Sequence, residues 1–369
     1  MGSFGLDWPR IHAEKSQGIG SLFLAFLSML YCFAVKLRLM AYKVRLFKKK
    51  SLPGFVVSIG NLTTGGTGKT PAVIMLARWA KNKGSRVAVL SRGYGGQANA
   101  GVLEVSDGKQ IKAGSRISGD EPYLLAKNLP GIPVVISKKR CFAGQFAKKK
   151  FGSNFFILDD GFQHLELKRD LNLLLIDASG SPFGNNRLLP WGPLREPVDQ
   201  LSRADVCILT RYGGHNSDGS ILDFLKQRFP DIPVFCADHL PEQVVFPALN
   251  DIYEPGFLKG KSVVAFAGIA HPEVFKETLI KLGAKLLYFK GFQDHYRFKR
   301  EDIQALVKKK ETLGSQYLLT TEKDWVKISS LTPECNYMAY LRIRFALISG
   351  RDDFFKIIET GISKKGKCK

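Results

Sequence analysis

The chain has 369 residues, which is enough for two or more domains of ordinary size. Apolar residues make up 45% and charged residues 24%, a globular balance that excludes a disordered, collagen-like or low-complexity chain. The 55 Lys and Arg outnumber the 33 Asp and Glu, so the formal net charge of +22 favours an anionic partner: nucleic acid, an anionic membrane surface or a phosphorylated substrate. The six cysteines are scattered, which argues against a disulfide framework or a structural zinc site and for a reducing cytosol.

An apolar segment near the N-terminus predicts membrane attachment. Residues 16–35 carry no charge, and a helix over residues 19–35 would span about 26 Å, at the short end for crossing a bilayer. Seven basic and no acidic residues follow in the segment 36–50, which the positive-inside rule assigns to the cytoplasmic side. The alternatives are a cleaved signal peptide, whose basic residues would precede the apolar core, and a buried helix of a soluble core. Whether the helix spans the bilayer or lies in one leaflet stays open.

From about residue 54, short apolar runs alternate with helical stretches. Continuous apolar runs of this length predict strands that are buried on both faces of a parallel sheet. The predicted strands are 55–59, 87–90, 134–136, 155–158, 173–176, 206–209 and 234–235, with helices at 71–83 and 122–128. The pattern predicts an α/β fold with a doubly wound parallel sheet, which binds ligands at the carboxyl ends of its strands.

A glycine-rich loop follows the first predicted strand, at residues 60–71. Its glycines let backbone N–H groups surround an anion at the start of the next helix. Lys69 would reach the β- and γ-phosphates of a nucleotide, and Thr70 would place its hydroxyl on Mg²⁺. The standard phosphate-loop pattern has Gly where Thr63 stands, and the alternative is a turn that only caps a helix. The predicted nucleotide-binding residues are Thr63, Thr64, Gly65, Gly66, Thr67, Gly68, Lys69 and Thr70.

Two carboxylates directly follow the apolar run 155–158. Asp159 and Asp160 would lie at the carboxyl end of a strand beside the phosphate loop, where a carboxylate can hold Mg²⁺ directly or through water. Which of the two would be the direct ligand stays open. The alternative is an aspartate that ends a strand in a turn. Together with the loop, the pair predicts a P-loop NTPase-like nucleotide site.

Seven short blocks keep a fixed order between residues 60 and 324. They are the loop at 60–71, Ser-Arg-Gly-Tyr-Gly at 91–95, Gly-Asp-Glu-Pro at 119–122, Asp-Asp-Gly-Phe-Gln-His at 159–164, Leu-Leu-Pro-Trp-Gly-Pro-Leu-Arg-Glu-Pro at 188–197, Asp-His-Tyr at 294–296 and Thr-Thr-Glu-Lys-Asp at 320–324. Together with the apolar N-terminal segment, they resemble the lipid A (tetraacyldisaccharide) 4′-kinases of Gram-negative bacteria. Thr63 is normal for that family, whereas Trp191 stands where a smaller residue is expected.

The resemblance implies a lipid kinase of lipopolysaccharide biosynthesis. The implied reaction transfers the γ-phosphate of ATP, with Mg²⁺, to the 4′-hydroxyl of a tetraacylated glucosamine disaccharide 1-phosphate at the cytoplasmic face of the inner membrane. The implied partners are this membrane-embedded substrate and anionic inner-membrane lipids, with no nucleic acid and no obligate protein partner.

The resemblance also implies a catalytic pair, Asp120 and His295. The carboxylate would lie beside the attacking hydroxyl, and the imidazole would tune it or take the proton. Lys69 and Arg195 complete the expected catalytic set. The alternatives are that Asp120 only caps a helix and that His295 is an ordinary surface or cap residue.

Substrate contacts are expected from residues near the strand ends. Arg195, in a loop rich in Pro and Gly, is a candidate for binding the 1-phosphate or the transferring group, or for a salt bridge to Glu196 or a neighbour. Arg92 and Tyr94 follow a predicted strand and would face the site. His164 would contact phosphate or orient an aspartate, or would be a structural histidine. His12, His215 and His239 show no partner pattern and are predicted to be surface residues.

The rest of the chain predicts a second α/β unit, with strands 263–266, 285–289, 317–320 and 337–348, helices 272–282 and 300–313, and a solvated lysine-rich end. The expected organisation is a membrane-associated helix with a basic flank at 1–50, a kinase core at 51–240, a β-ribbon linker at 241–261, a smaller α/β domain at 262–335, and a C-terminal strand or helix with a basic tail at 336–369. His295 would then face Lys69 and Asp120 across an interdomain cleft.

Two other classes of protein share some of these features. A membrane-associated ATPase switch of the partitioning type would carry a further lysine in the loop, where this chain has Thr64. A nucleic-acid-binding NTPase would account for the charge, but the regular aromatic interleaving and the modules of such proteins are missing from the sequence. Because the largest basic cluster adjoins the apolar segment, the charge favours a membrane and a lipid phosphate over nucleic acid.

Overall fold

The fold is described from a computed structural model, for residues 19–94, 96, 101–213, 219–332 and 335–367. Helix α1 comprises Ile19–Lys43, so it continues past the apolar segment into the basic one. Apolar side chains along it are exposed, among them Leu22, Phe23 and Phe33 at 72%, 63% and 68%. Within the described residues, α1 is the one helix long and apolar enough to cross a membrane. It is therefore a candidate membrane anchor, as the sequence predicted.

The first part of the chain forms a parallel sheet with one antiparallel edge strand, β3, which the sequence analysis missed. The predicted strands 55–59 to 206–209 are all present. The elements are β1 (Phe55–Gly60), α2 (Lys69–Asn82), β2 (Val87–Ser91), β3 (Leu103–Ser106), α3 (Ser115–Ser118), α4 (Asp120–Asn128), β4 (Val134–Ile136), α5 (Arg140–Phe151), β5 (Phe155–Asp159), β6 (Leu171–Asp177), β7 (Val206–Thr210) and α6 (Ser220–Arg228).

Both faces of this sheet are covered, as its continuous apolar strands require. Successive residues of a strand point to opposite faces, so Val57 packs with Leu76 of α2 while Val56 packs with Ala143 of α5. Helices on both faces leave the strand ends free for function. In β1 and β5, which pair in parallel from Phe55 onwards, the carboxyl ends lead into the phosphate loop and the aspartate pair.

The second part of the chain continues the same sheet. Its elements are β8 (Val234–Phe246), β9 (Asp251–Tyr253), β10 (Ser262–Ala267), α7 (Pro272–Lys281), β11 (Lys285–Gly291), α8 (Arg300–Thr312), β12 (Tyr317–Thr321), α9 (Glu322–Ile328), β13 (Met338–Leu347) and α10 (Arg351–Lys367). The strand order is β11-β10-β12-β13-β8-β7-β6-β1-β5-β2-β4-β3, with β9 paired to β8. We call β1–β7 the phosphate-loop half and β10–β13 the C-terminal half.

Strand β8 joins the two halves. Its first residues pair in parallel with β7, and its later residues pair antiparallel with β13. The sequence predicted only residues 234–235 as a strand, because Asp238, His239 and Pro241 interrupt the apolar pattern. The strand instead runs through residue 240, where the sequence analysis placed a domain boundary. Its end pairs with β9 as an antiparallel ribbon within the predicted linker 241–261.

Helix α10 returns to the phosphate-loop half. Phe354, Phe355 and Ile358 are buried in its core, and the Phe355 ring stacks on Trp79 with centroids 4.6 Å apart. The lysine-rich end continues this helix up to residue 367; Lys364 is exposed, as expected for a solvated end, whereas Lys365 pairs with Asp170. Apolar residues three and four positions apart along 354–362 bury one face of the helix, and the lysines that follow belong to the same helix.

Candidate active site

A cavity of about 980 Å³ opens between the two halves of the sheet and α1. The phosphate-loop half contributes Gly65–Thr70 and the strand-end residues Ser91 and Asp159, which the parallel topology brings to one edge. The C-terminal half contributes residues that include His271, His295 and Lys323. The expectation that Lys69 and His295 would face one site from separate parts of the sheet agrees with this lining.

The phosphate loop has the backbone shape that anion binding requires. Gly65 and Gly68 adopt positive φ angles of 102° and 82°, a conformation that side chains disfavour, and α2 begins at Lys69. Gly65 to Thr70 line the cavity, whereas Thr63 and Thr64 are absent from the described lining. The backbone of Thr63 bridges to Leu194, and the Thr64 N–H donates to the Pro193 carbonyl, so this end of the loop supports the structure around it.

Lys69 and Arg195 converge on Asp160. The Lys69 ammonium lies 3.6 Å from the Asp160 carboxylate and donates to Asn61 Oδ1 at 3.2 Å. Arg195 Nη1 donates to both Asp160 oxygens, at 3.0 and 2.9 Å. Burial by itself would raise the pKa of Asp160, but these two cations outweigh it and lower the pKa. The salt bridge expected for Arg195 is thus made to Asp160, while Glu196 pairs with Arg203.

Asp159 has a different electrostatic environment. Its carboxylate is buried and accepts a hydrogen bond of 2.9 Å from Ser91 Oγ. Burial, followed by the negative charges of Glu121 and Asp160, raises the pKa of Asp159 to about 7. The pKa values of these two adjacent carboxylates are therefore shifted in opposite directions, because burial and the neighbouring negative charges outweigh Lys69 at Asp159, whereas Lys69 and Arg195 outweigh burial at Asp160.

Sequence analysis missed a second set of residues that holds the phosphate loop. Arg211 donates to the Gly66 carbonyl oxygen and pairs with Asp177, whose carboxylate also lies 3.3 Å from His271 Nε2. Burial would raise the pKa of Asp177, but His271 and Arg211 lower it. Both Asp177 and Arg211 stand at the ends of predicted strands, so the strand-end rule that identified Asp159 would have found them too.

His239 is not the surface residue that the sequence analysis predicted. It lines the cavity, and its ring lies so close to Gly68 that any side chain at that glycine would overlap it. Burial and the charge of Arg211 lower the pKa of His239 to about 4, so the ring is neutral at pH 7. The misplacement has the same cause as the missed strand, since His239 belongs to the unpredicted part of β8. His12 and His215 lie outside the described residues.

Glu121 lines the cavity, whereas Asp120 is not among the described lining residues. Asp120 is the first residue of α4, it is half-buried, and the N-cap position belongs to Gly119, whose φ is 90°. The alternative interpretation of Asp120 as a capping residue therefore does not match the helix geometry. The carboxylate still stands in the first turn, where the helix dipole favours a negative charge.

His295 lies in the loop between β11 and α8 and lines the cavity. It is half-exposed and adopts a positive φ of 58°, an uncommon conformation for a residue with a side chain. Its backbone N–H donates to Asp294 Oδ1 at 2.9 Å, and its Nε2 lies 3.8 Å from Asp294 Oδ2. Asp294 therefore holds both ends of this histidine.

The predicted substrate contacts Arg92, Tyr94 and His164 also line the cavity. Arg92 and Tyr94 are exposed, and Tyr94 shows 79% of its surface to solvent. Burial and the charge of Arg140 lower the pKa of His164 to about 4, and its Nε2 has no partner among the described residues. It is therefore a neutral imidazole with one nitrogen free for a ligand. Gly95 of the same motif lies outside the described residues.

Helix α1 contacts the loops that carry these groups. Tyr31 donates from its hydroxyl to the Arg195 carbonyl at 2.9 Å, and Arg38 donates to the Gln163 carbonyl at 2.8 Å. Ser28 donates to the Leu188 carbonyl at 2.8 Å. Tyr31 and Arg38 line the cavity as well. The candidate membrane anchor is thus one wall of the site.

Comparisons with known proteins agree on one family. The family model for Tetraacyldisaccharide-1-P 4'-kinase matches residues 20–363. The Tetraacyldisaccharide 4'-kinase of Syntrophus aciditrophicus is 39% identical over 91% of this chain and 93% of its own, and that of Pelobacter propionicus is 42% identical over 84% and 83%. The crystal structure of LpxK from Aquifex aeolicus in complex with ATP is 33% identical with a TM-score of 0.76, covering 93% of this chain and all of that one. The similarity thus includes α1 and both halves of the sheet.

Proposed function

Because the chain belongs to the family of tetraacyldisaccharide-1-P 4′-kinases, we propose that ATP and the acylated disaccharide meet in the cavity between the two halves of the sheet. The protein is a phosphotransferase of lipid A biosynthesis that phosphorylates the 4′ position of the disaccharide. The alternative of a partitioning-type ATPase switch is not favoured by this membership. The main support for the proposed site is that Lys69, Asp160 and Arg195 line one side of the cavity and that His295 lines the other.

The phosphate loop and its cations would bind ATP, as the relative from Aquifex aeolicus does. Backbone N–H groups of Gly65 to Thr70 would surround the β-phosphate, and the Lys69 ammonium would neutralise the β- and γ-oxygens. Arg195 would exchange part of its contact with Asp160 for the transferring phosphoryl group or the substrate 1-phosphate, because a guanidinium binds phosphate oxygens in pairs.

Mg²⁺ fits the oxygen donors of this site. Asp159 is a buried carboxylate with two carboxylate neighbours and a raised pKa, an arrangement that a divalent cation would relieve. Among the described residues, no group of three or more His, Cys, Asp or Glu could hold a metal by itself. Mg²⁺ needs only one or two carboxylates beside phosphates and water, and Thr70, Asp159 and Asp160 would supply them. When bound, the ion would neutralise charge on the phosphates.

Asp120 and His295 would act on the attacking 4′-hydroxyl. In this proposal the carboxylate of Asp120 accepts the hydroxyl hydrogen bond, and His295, held by Asp294, orients it or takes the proton. The half-exposed setting of both residues leaves room for a small movement on substrate binding. Glu121, which faces the cavity and lowers the local potential beside Asp159, would serve the metal end of the site.

Arg92, Tyr94, His164 and Arg195 would bind the headgroup. The free Nε2 of the buried His164 is a donor or acceptor without a protein partner, as a ligand contact requires. Acyl chains would lie along the exposed apolar face of α1, whose polar residues contact the site loops. The substrate would therefore reach the site without leaving the membrane.

We further propose that the protein lies at the cytoplasmic face of the inner membrane, with α1 as anchor and residues 36–50 on anionic lipids. Vesicles with anionic lipid should sediment with the full chain. Changing exposed apolar residues of α1, Phe23→Asp with Phe33→Asp, should weaken sedimentation, whereas the matched change Ile252→Asp on β9 should not. Equal binding by all three proteins would contradict the anchor. No role for nucleic acid or an obligate protein partner is part of the proposal.

The division into a kinase core at 51–240, a linker at 241–261 and a smaller domain at 262–335 is retained as a proposal about folding units. Strand β8 crosses the first boundary, so the two units would share one strand. Limited proteolysis should then cut in the ribbon after β8 before it cuts within either half.

The decisive assay is transfer of radiolabelled γ-phosphate from Mg-ATP to the tetraacyl disaccharide 1-phosphate in mixed micelles. The expected product carries two phosphates, and its formation should be lost when the 4′-hydroxyl of the acceptor is blocked. Hydrolysis of ATP with no labelled lipid would contradict the kinase site and support a switch ATPase.

A further inference from the structure

The segment Thr320 to Asp324 has no assigned role in the reaction, although the sequence marks it as a conspicuous block. It spans the end of β12 and the start of α9. Asp324 is fully buried, accepts hydrogen bonds from the Gly268 N–H at 2.8 Å and from Thr321 Oγ1 at 2.7 Å, and pairs with Lys327 at 3.0 Å. Asp324 therefore fixes the start of α9 within the C-terminal half.

Glu322 and Lys323, which lie between Thr321 and Asp324, reach the phosphate-loop half of the sheet. Glu322 accepts from Asn128 Nδ2 of α4 at 3.1 Å and from Arg342 at 3.0 Å. Lys323 lies 3.5 Å from Glu121 at the start of α4 and 3.6 Å from Asp294 in the loop that carries His295. One short helix thus contacts both ends of α4, and its lysine contacts the neighbours in sequence of both proposed catalytic residues.

The electrostatics favour a permanent cation at this point. Burial alone would lower the pKa of Lys323, but the charges of Glu121, Asp294 and Asp324 outweigh it and raise the pKa. Without that cation, Glu121 and Asp294 would face each other as like charges, and Asp294 would lose the partner that holds it beside His295. Glu121 directly follows Asp120 in the chain, and Asp294 directly precedes His295. Each carboxylate is therefore the sequence neighbour of one residue of the proposed catalytic pair.

We propose that Lys323 is a positioning residue that assembles the acceptor side of the site, holding Glu121 of one half and Asp294 of the other so that Asp120 and His295 meet the same hydroxyl. The inference rests on the proposed function, in which Asp120 and His295 act on the acceptor. In this proposal, a residue that does not contact the reacting atoms sets the geometry of Asp120 and His295, the groups that handle the proton. A displacement of about 1 Å in such groups can cost about 100-fold in rate.

The first test is the steady-state kinetics of Lys323→Met in the full chain. We expect kcat to fall about 10- to 100-fold while KM for ATP changes less than about twofold, because the phosphate loop is held by other residues. Lys323→Arg, which keeps the charge, should recover part of kcat. Lys327→Met is the matched control: it removes a buried lysine of the same helix that pairs with Asp324 and lies outside the described cavity lining, so it should lower the melting temperature with little change in kcat.

A double variant separates positioning from a general loss of structure. In the His295→Ala background, Lys323→Met should lower kcat by a clearly smaller factor than in the wild type, because one of the two groups it positions is already gone. A further fall equal to that in the wild type, or a rise in KM for ATP at unchanged kcat, would overturn the proposal and make Lys323 an independent ATP-binding cation.

Hydrogen exchange provides a readout that does not need activity. The amides of residues 292–297 should exchange faster in Lys323→Met and at the wild-type rate in Lys327→Met. Unchanged exchange of these amides in Lys323→Met overturns the positioning role of Lys323 even if the lipid assay succeeds. Faster exchange, together with a wild-type protein that phosphorylates no lipid, supports the positioning role and contradicts the proposed function.

Discussion

The two sides of the cavity are built in different ways. On the phosphate side, Lys69, Asp160 and Arg195 are paired with one another within the phosphate-loop half, at 2.9 to 3.6 Å. On the acceptor side, Glu121 and Asp294 come from different halves and are joined through Lys323, at 3.5 and 3.6 Å. The ion pairs of the phosphate side are thus formed within the phosphate-loop half, whereas those of the acceptor side require the two halves to be packed together.

One fold can in this way serve the two tasks of a kinase, binding ATP and positioning the acceptor. Charge neutralisation of ATP depends on fixed dipoles and cations, which a loop and helix N-terminus supply locally. Positioning a lipid hydroxyl requires groups that can adjust to a large substrate, and these stand on loops and at a helix start. Mutations on the two sides should therefore differ in the size of their effects and in which kinetic constant they change.

The largest expected effect lies on the phosphate side. Lys69→Ala should reduce kcat by at least about 1000-fold. The ammonium neutralises the transferring phosphoryl group, and its removal leaves the Asp160 carboxylate facing that group. The measurement is the lipid transfer assay at saturating ATP. Lys149→Ala, an exposed lysine on α5, is the control and should retain wild-type activity. Activity of Lys69→Ala within tenfold of the control would contradict the assignment of the loop.

The next effect tests the acceptor side and separates its two carboxylates. Asp120→Asn and His295→Ala should each lower kcat about 100-fold with KM for ATP unchanged, as loss of a general acid–base group predicts. Glu121→Gln, which loses the ion pair with Lys323, should lower kcat only about 10-fold and should also raise the Mg²⁺ concentration needed for half-maximal rate. If Glu121→Gln has the large kcat effect and Asp120→Asn has none, the carboxylate that faces the cavity is the one that acts on the hydroxyl.

A smaller effect is expected at the support of the phosphate loop. Arg211→Gln should raise KM for ATP about tenfold, since it removes a charge-assisted hydrogen bond to Gly66 and leaves Asp177 without its guanidinium partner, with only Ser179 and His271 among its described contacts. Its kcat should change less than threefold. A fall in kcat at constant KM would show that Arg211 acts on the transition state instead of the loop.

The smallest effect is a pH dependence of stability from Asp159. The folded pKa of about 7 lies above the ordinary value of 3.8, so folding takes up a proton between these values and stability falls as pH rises through that window. Asp159→Asn should remove this fall, and its melting temperature in metal chelator should exceed that of the wild type more at pH 8 than at pH 5. The difference between the two proteins is the measurement because His164 and His239, with pKa values lowered to about 4, give the opposite slope below about pH 6.5. Parallel melting curves would contradict the raised pKa.

Local sequence patterns identified the phosphate side well. The run 155–158 followed by Asp159 and Asp160 lies at the end of β5, as predicted, because buried parallel strands need continuous apolar residues and their ends are a common edge. The same reasoning stopped at β8. Its polar residue His239 faces the cavity, and no local pattern distinguishes a polar residue that faces a cavity from one that faces water.

Short-range sequence patterns predicted the class of fold, the phosphate loop, the aspartate pair and the apolar helix beside basic residues, because each depends on residues that are close together in the chain. The largest cluster of basic residues follows the apolar helix, so the sequence also reduced the candidate partners of the +22 charge to a membrane and a lipid phosphate. Only the tertiary structure decided that α1 is a wall of the site, that Arg211 and Asp177 hold the phosphate loop, and that Lys323 joins Glu121 to Asp294. These contacts join residues far apart in the chain, and the free energy that selects them comes from packing and charge pairing across the whole sheet.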